Sequence, residues 1–104
     1  MPDPLQALAE PTRQRILQLV LDRELSAGDI AAEFDTTFGA VSQHLRVLLE
    51  TGLVTVRRAG RFRYYRARTR ELGPLAEMLR ASWTARLGKL KKLAEAEARK
   101  TRRN

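Results

Sequence analysis

Between Phe34 and Val41 the chain has room for a short turn only, and the residues on both sides of it carry helical patterns. On the downstream side Thr37 is the expected N-cap. Val41, Leu45, Leu48 and Leu49 then follow at i, i+4, i+7 and i+8, the spacing of a core stripe. Gly52 is placed to end that helix in the conformation glycine favours after a C-cap. On the upstream side Ser26 is the expected N-cap, with Asp29 three residues later as a capping box that uses Asp in place of Glu. Leu25 and Ile30 occupy the two staple positions. This helix is short, with Ile30, Ala31 and Phe34 as its buried face, and Gly28 weakens it enough that tertiary packing must hold it. Two helices joined so closely, the second apolar on one side, make a helix-turn-helix over residues 26–51.

The flanking segments must then cover this unit. Residues 3–24 read as scaffold helices. Asp3 is an N-cap with Pro4 at the first helical position, and Leu5 and Leu8 share a face. Pro11 restarts the pattern, and Ile16, Leu17, Val20 and Leu21 recur at helical spacing. After Gly52 come two β-rich runs, "LVTVRR" and "RFRYYRA", which read as a hairpin over residues 53–68. A two-residue loop at Ala59-Gly60 sets Arg58 opposite Arg61, Val56 opposite Arg63, Val54 opposite Tyr65 and Thr55 opposite Tyr64. Like charges directly opposite each other destabilise a ladder, so an arginine-faced hairpin makes sense with phosphate between the arginines. The last helix is expected over residues 70–99. Ala76, Leu79, Trp83, Leu90 and Leu93 fall on an a/d-like seam, with Leu72 one step earlier and Leu87 beside it, although Arg86 interrupts it. Such a helix needs a partner, and a second copy is the natural one. The residues expected at the dimer interface are therefore Leu5, Leu8, Leu79, Trp83, Leu87, Leu90 and Leu93. Residues 100–104 are expected to be disordered. The whole of residues 1–104 makes a single domain, mainly α with a small β-hairpin, in the order α1-α2-α3-α4-β-β-α5.

Charge gives the first hint of function. The chain carries a formal net charge of +8, unevenly placed. Residues 1–56 hold four basic and eight acidic side chains; residues 57–104 hold sixteen basic and four acidic ones. Seven of those bases are the arginines of "RRAGRFRYYRARTR", residues 57–70. A solvated charge run has no reason to alternate aromatics with arginines, so this stretch reads as a folded element facing an anionic partner, nucleic acid ahead of membrane. The absence of cysteine excludes disulfides and thiolate metal sites. His44 is the only histidine and flanks the core stripe beside Val41 and Leu48, where a packed, hydrogen-bonded role fits better than metal ligation. No nucleophile–base pair, phosphate-binding glycine loop or metal-ligand cluster stands out, so neither an enzyme nor a bound cofactor is expected. No apolar stretch or leader pattern suggests a membrane span or export, which points to the cytoplasm.

With the core stripe of residues 37–50 turned inward, Phe38, Gly39, Ser42, Gln43 and Arg46 face outward. Gln and Arg match the donor and acceptor edges of purines in the major groove, and Ser serves bases or phosphate. Thr37 is placed for the DNA backbone, and Arg57, Arg58, Arg61 and Arg63 in the hairpin for phosphates or the minor groove. The expected function is sequence-specific binding of double-stranded DNA. The alternative is a protein-interaction module built on the same helices, which a weak dependence on salt would reveal.

The segments "LQALAEPTRQRILQLV", "LSAGDIAAEF" and "GAVSQHLRVLLETGLVTVRRAGRFRYYRA" together resemble the ArsR (ArsR/SmtB) family of winged helix-turn-helix transcriptional repressors, over roughly residues 5 to 67. The resemblance implies a homodimer formed through the first and last helices and binding to pseudo-palindromic operators. Residues 37–45, "TFGAVSQHL", stand where the family has its recognition-helix motif. Phe38 and Gly39 replace the usual polar pair there, and Phe38 is suited to a thymine methyl. Metal-sensing members carry a cysteine segment where this chain has residues 25–30 and histidine ligands in the last helix, where residues 70–104 have none. The resemblance is therefore to the non-metal-sensing branch, with an inducer or protein partner left open.

Overall fold

Prolines open both of the first two helices. Asp3 caps α1 (Pro4–Ala9), its carboxylate accepting the Leu5 N–H at 3.0 Å. Glu10 closes α1 and caps α2 (Pro11–Leu19), accepting the Arg13 N–H at 2.8 Å. The computed structural model describes residues 3–102; for Trp83, Arg86, Leu87, Leu90, Lys91 and residues 99–102 it describes the backbone alone. Next come a two-residue strand β1 (Leu25–Ser26), α3 (Ala27–Ala32), α4 (Phe38–Glu50), the hairpin strands β2 (Val54–Ala59) and β3 (Phe62–Ala67), a single turn α5 (Thr69–Leu72) and the long α6 (Pro74–Arg102). The three strands form one antiparallel sheet in the order β1-β3-β2. The architecture is the mainly helical winged helix-turn-helix that the sequence patterns describe.

Both helices of the helix-turn-helix start where their caps put them. Ser26 Oγ accepts the Asp29 N–H at 3.1 Å, and Thr37 Oγ1 accepts the Ala40 N–H at 3.1 Å. At the far end of α4, Gly52 sits at φ +74°, with its N–H on the Leu49 carbonyl and the Leu53 N–H on the Leu48 carbonyl. This is a Schellman closure, which needs a residue at ease with positive φ. Ile16, Leu17 and Val20 meet Ile30, Val41 and Leu48 in the centre of the core, all fully buried. Leu19, Leu21, Leu45, Leu53, Val54, Tyr65, Ala67, Leu72 and Ala76 surround them. Ala7 is the fully buried residue of α1, Leu8 packs partly buried against the core, and Leu5 is exposed.

Four features depart from the sequence patterns. The hairpin register is offset by two residues: Arg58 pairs with Arg63, Val56 with Tyr65, Val54 with Ala67 and Thr55 with Arg66. The cause is the turn. Gly60 takes φ +61° and leads a two-residue Gly60-Arg61 turn between Ala59 and Phe62. A tight hairpin turn of this kind needs positive φ at its first central residue, which Ala59 would adopt only with strain. Because the offset is even, each side chain keeps its face. Second, β1 adds a third strand, pairing Leu25 with Tyr65 and Ser26 with Tyr64. Third, the last helix is broken at Gly73-Pro74 into α5 and α6, because the ring of Pro74 starts a helix and cannot continue one. Fourth, α6 runs past residue 99, so residues 100–102 are helical rather than disordered; residues 103–104 lie outside the described residues.

Candidate nucleic-acid interface

The core stripe of α4 determines what the opposite side offers. With Val41, Leu45 and Leu48 buried, Thr37, Phe38, Gly39, Ser42, Gln43 and Arg46 are all exposed. They lie along the solvent face of one helix, as the pattern requires. Arg46 makes an ion pair with Glu50 one turn on, Nε to Oε1 at 3.4 Å. An exposed pair of this kind is weak and easily exchanged for a stronger anion.

The wing stands beside this face, and its base is held at three points. β1 pairs with β3. The Ala67 N–H donates to the Val20 carbonyl at 2.9 Å, and the Arg68 N–H to the Leu53 carbonyl at 2.9 Å. Alternation then divides the arginines. Arg58 and Arg63 share the face of buried Tyr65 and Val54, toward α4, and stand directly opposite each other. Arg61 occupies the turn. None of these three makes an ion pair among the described residues. Arg57 lies on the other face. It grips Glu24 through both carboxylate oxygens, at 2.5 and 3.2 Å, and its guanidinium lies 4.8 Å from the centre of the Tyr64 ring. The hydrogen bond from Arg57 holds the Glu24 carboxyl below the usual range. Arg57, expected at the DNA backbone with Arg58, Arg61 and Arg63, thus lies on the opposite face of the wing and is engaged by Glu24.

Two hollows lie between α4 and the wing. One, of about 470 Å³, is lined by Gly39, Ser42, Gln43, Arg46, Leu49, Arg63 and Tyr65. The other, of about 350 Å³, runs from Ser26–Gly28 and Phe38 to Arg61–Arg63. Neither is lined by an acidic residue. Phe62, exposed at the wing tip, borders the smaller hollow and shares the strand face of Tyr64 and Arg57, its ring centre 6.3 Å from that of Tyr64. It was not among the residues singled out by sequence pattern, although it follows the turn and interrupts a row of arginines.

His44 faces the opposite way. Its Nδ1 lies 3.2 Å from Arg13 Nη1 and 3.7 Å from the Glu10 carboxylate, half-buried at the α1–α2 junction. Arg13 continues from there to the carbonyls of Ala7, at 2.9 Å, and Gln6, at 3.3 Å. Burial raises the Glu10 pKa, but backbone N–H groups of Arg13 and Thr12 and the charges of His44 and Arg13 outweigh it and lower the carboxyl overall. His44 is thus the packed, hydrogen-bonded residue that its position suggests. Among the described residues no group of three or more His, Cys, Asp or Glu is placed to hold a metal ion, and no helix is long and apolar enough to cross a membrane.

The residues expected at a dimer interface fall into three groups. Leu5 and Leu93 are exposed. Leu8 and Leu79 are half-buried against the core, with the Leu79 carbonyl accepting from Gln18 Nε2 at 3.3 Å. The side chains of Trp83, Leu87 and Leu90 lie outside the described residues. Leu75 and Met78 add exposed apolar surface beside Leu79 that the a/d seam did not include.

Comparison with known proteins agrees with the geometry. Residues 10–56 match the family described as bacterial regulatory protein, arsR family. The chain is 36% identical over 63 residues to the transcriptional repressor SdpR of Bacillus subtilis, covering 61% of this chain and 70% of that protein. It is 36% identical over 92 residues to the HTH-type transcriptional regulator Rv2034 of Mycobacterium tuberculosis, covering 88% and 86%. It is 35% identical over 75 residues to the transcriptional activator HlyU of Vibrio cholerae, covering 72% and 69%. The solved structure of HlyU superposes with a TM-score of 0.70 at 32% identity, over 77% of this chain and 87% of that one. By these likenesses the chain belongs to the arsR family of bacterial regulatory proteins.

Proposed function

We propose that the protein is a homodimeric repressor that binds a pseudo-palindromic DNA operator. One observation carries the reading: Arg61 and Arg63, with Arg58 opposite Arg63 on the same strand face, have no ion pair among the described residues, and they line the hollows that also hold Ser42, Gln43 and Arg46, with no acid in the lining. Uncompensated guanidinium groups repel one another, and a phosphate backbone relieves that repulsion while releasing counterions. In this reading α4 enters the major groove. Ser42, Gln43 and Arg46 read base edges there, with Phe38 and Gly39 close to the bases and Thr37 at the backbone. Arg58, Arg61 and Arg63 hold phosphates or reach the minor groove. The name of SdpR supports repression as the outcome. No cysteine is available, and the only histidine is engaged by Arg13, so operator release is assigned to something other than a bound metal.

The experiment is selection of bound duplexes from random DNA, followed by titration of the enriched site. An enriched inverted repeat is expected. Gln43→Ala should reduce the preference for the selected site over random DNA by about tenfold or more, the loss of one bidentate base contact. Equal losses on selected and random duplexes would remove Gln43 from base reading.

A further inference from the structure

We infer that His44 is a positioning residue: held by Arg13, it fixes α4 to α1, and so sets the two α4 helices of a dimer at the separation their operator requires. This rests on the homodimeric DNA-binding reading above and adds to it a coupling between the dimer face and the base-reading face.

The core stripe does not fix α4 alone. Val41, Leu45 and Leu48 bury the helix against the domain, but apolar packing is not directional and opposes rotation about the helix axis only weakly. The hydroxyls of Thr37 and Thr51 serve the helix's own ends, and Arg46 pairs with Glu50 one turn on. His44 instead reaches out of the helix, its Nδ1 accepting from Arg13 Nη1 at 3.2 Å. It follows Gln43 by one position, about 100° around the axis at 3.6 residues per turn, so whatever fixes His44 fixes the direction of Gln43.

Arg13 has a second task. Helix α1 is six residues long, and its last carbonyls have no partner within the helix. Arg13 Nε donates to the Ala7 carbonyl at 2.9 Å and Nη2 to the Gln6 carbonyl at 3.3 Å, while Gln14 Nε2 donates to the Leu8 carbonyl at 2.6 Å. One guanidinium thus joins α1, which carries the exposed Leu5 of the expected dimer face, to the middle of α4.

The chemistry of the pair makes the link conditional. A guanidinium only donates, so Nδ1 must be the unprotonated nitrogen of a neutral imidazole. A proton on Nδ1 removes the acceptor, sets two cations face to face and turns the ring toward the Glu10 carboxylate, 3.7 Å away. Glu10 and Arg13 are the charged groups that face Nδ1 from the α1–α2 junction, and α1 itself has no ionisable side chain. The Glu10 carboxyl is lowered overall, so it stays ionised while histidine titrates. His44 is the single histidine of the chain, and histidine is the side chain whose charge ordinarily changes between about pH 5 and 8.

The test measures the affinity of the full chain for the selected inverted repeat and for one isolated half-site, from about pH 8 to about pH 5.5, with light scattering to follow the dimer. The ratio of the two affinities reads how well the second α4 is placed. In the wild type it should fall about tenfold on acidification, the scale of one hydrogen bond to a charged group. Added positive charge by itself would raise affinity for both sites, and more for the full one, so a falling ratio has the opposite sign. His44→Asn keeps an acceptor near the Nδ1 position and does not titrate, so its ratio should stay close to the neutral wild-type value at every pH. His44→Ala should show the lowered ratio throughout, with half-site affinity little changed. Four results would overturn the positioning role: a wild-type ratio that does not fall, a His44→Asn ratio that falls with it, a dimer that dissociates at low pH so that the ratio reports the interface, or a His44→Ala ratio equal to that of the neutral wild type. Should His44→Ala fail to fold, His44→Asn and the pH series decide. A wild type with no preference for the full repeat at neutral pH would instead bring down the homodimeric reading, so the two failures are distinguishable.

Discussion

Arg57 and Arg63 look alike in the sequence, and their surroundings separate them. Arg63 faces the hollows beside α4, while Arg57 is held by Glu24 and lies over Tyr64 on the far side of the wing. A guanidinium already neutralised releases no counterions when DNA binds. Arg57→Ala should therefore leave the salt slope of DNA binding at the wild-type value, whereas Arg63→Ala should lower it by about one; affinity titrations at four or five salt concentrations decide it. A slope that falls equally in both variants would mean that DNA pulls Arg57 away from Glu24. Single residues were legible in the sequence where the physics is local. Ser26 and Thr37 cap the helices they were expected to cap, and Gly52 ends α4, because a cap is decided within three or four positions. The fate of Arg57 was not legible, since its partner lies 33 positions earlier and no local spacing connects the two.

At the scale of elements, the join between α4 and β2 sets where the wing stands relative to the recognition helix. It depends on Gly52 at φ +74°, whose N–H and that of Leu53 close the last carbonyls of α4. Leu53 and Val54 follow directly into the core. Gly52→Ala forces a Cβ into the left-handed region, a cost of about 1 to 2 kcal/mol. Space is not the obstacle, because a Cβ there would meet only the end of the Arg68 side chain at 3.6 Å. Urea denaturation should show a lower midpoint with an unchanged m-value, the sign of lost stability without altered cooperativity. An unchanged midpoint would show that the join relaxes at no cost. The α3–α4 pair was readable because helical periodicity and caps agree over many residues. The hairpin was readable in face but not in register, since alternation is blind to an offset of two and only the conformation of Gly60 distinguishes the alternatives. Strand β1 was hidden for a different reason. Two residues, Leu25 and Ser26, carry no period, and their pairing with Tyr65 and Tyr64 is entirely tertiary.

For the molecule as a whole, the question is what covers the face shared by α1 and α6. Helix α6 has 29 residues, a length of about 43 Å at 1.5 Å per residue. Its start is tied to the domain: Ala76 is in the core, Arg80 donates to Asp22 at 2.8 and 3.0 Å, and Arg80 also pairs with Glu77. Around that anchor Leu5 is 73% and Met78 65% exposed, with Leu75 beside them and Leu93 farther along α6. A chain this small gains most by burying such a face in an isologous contact, where each residue meets its own symmetry-related neighbourhood. Met78→Glu would place carboxylates of both copies in that contact without touching the core. Light scattering should give twice the chain mass for the wild type and the single-chain mass for the variant, with helical circular dichroism preserved. The functional consequence follows from the two half-sites of an inverted repeat. A dimer binds the second half-site at the effective concentration set by the first, so loss of the dimer should weaken full-site binding by about a hundredfold or more. Affinity for an isolated half-site should hardly change, because α4 and the wing remain intact. A variant that keeps the dimeric mass would move the interface off this face, and one that becomes monomeric yet binds the full site as tightly as wild type would separate dimerisation from DNA recognition.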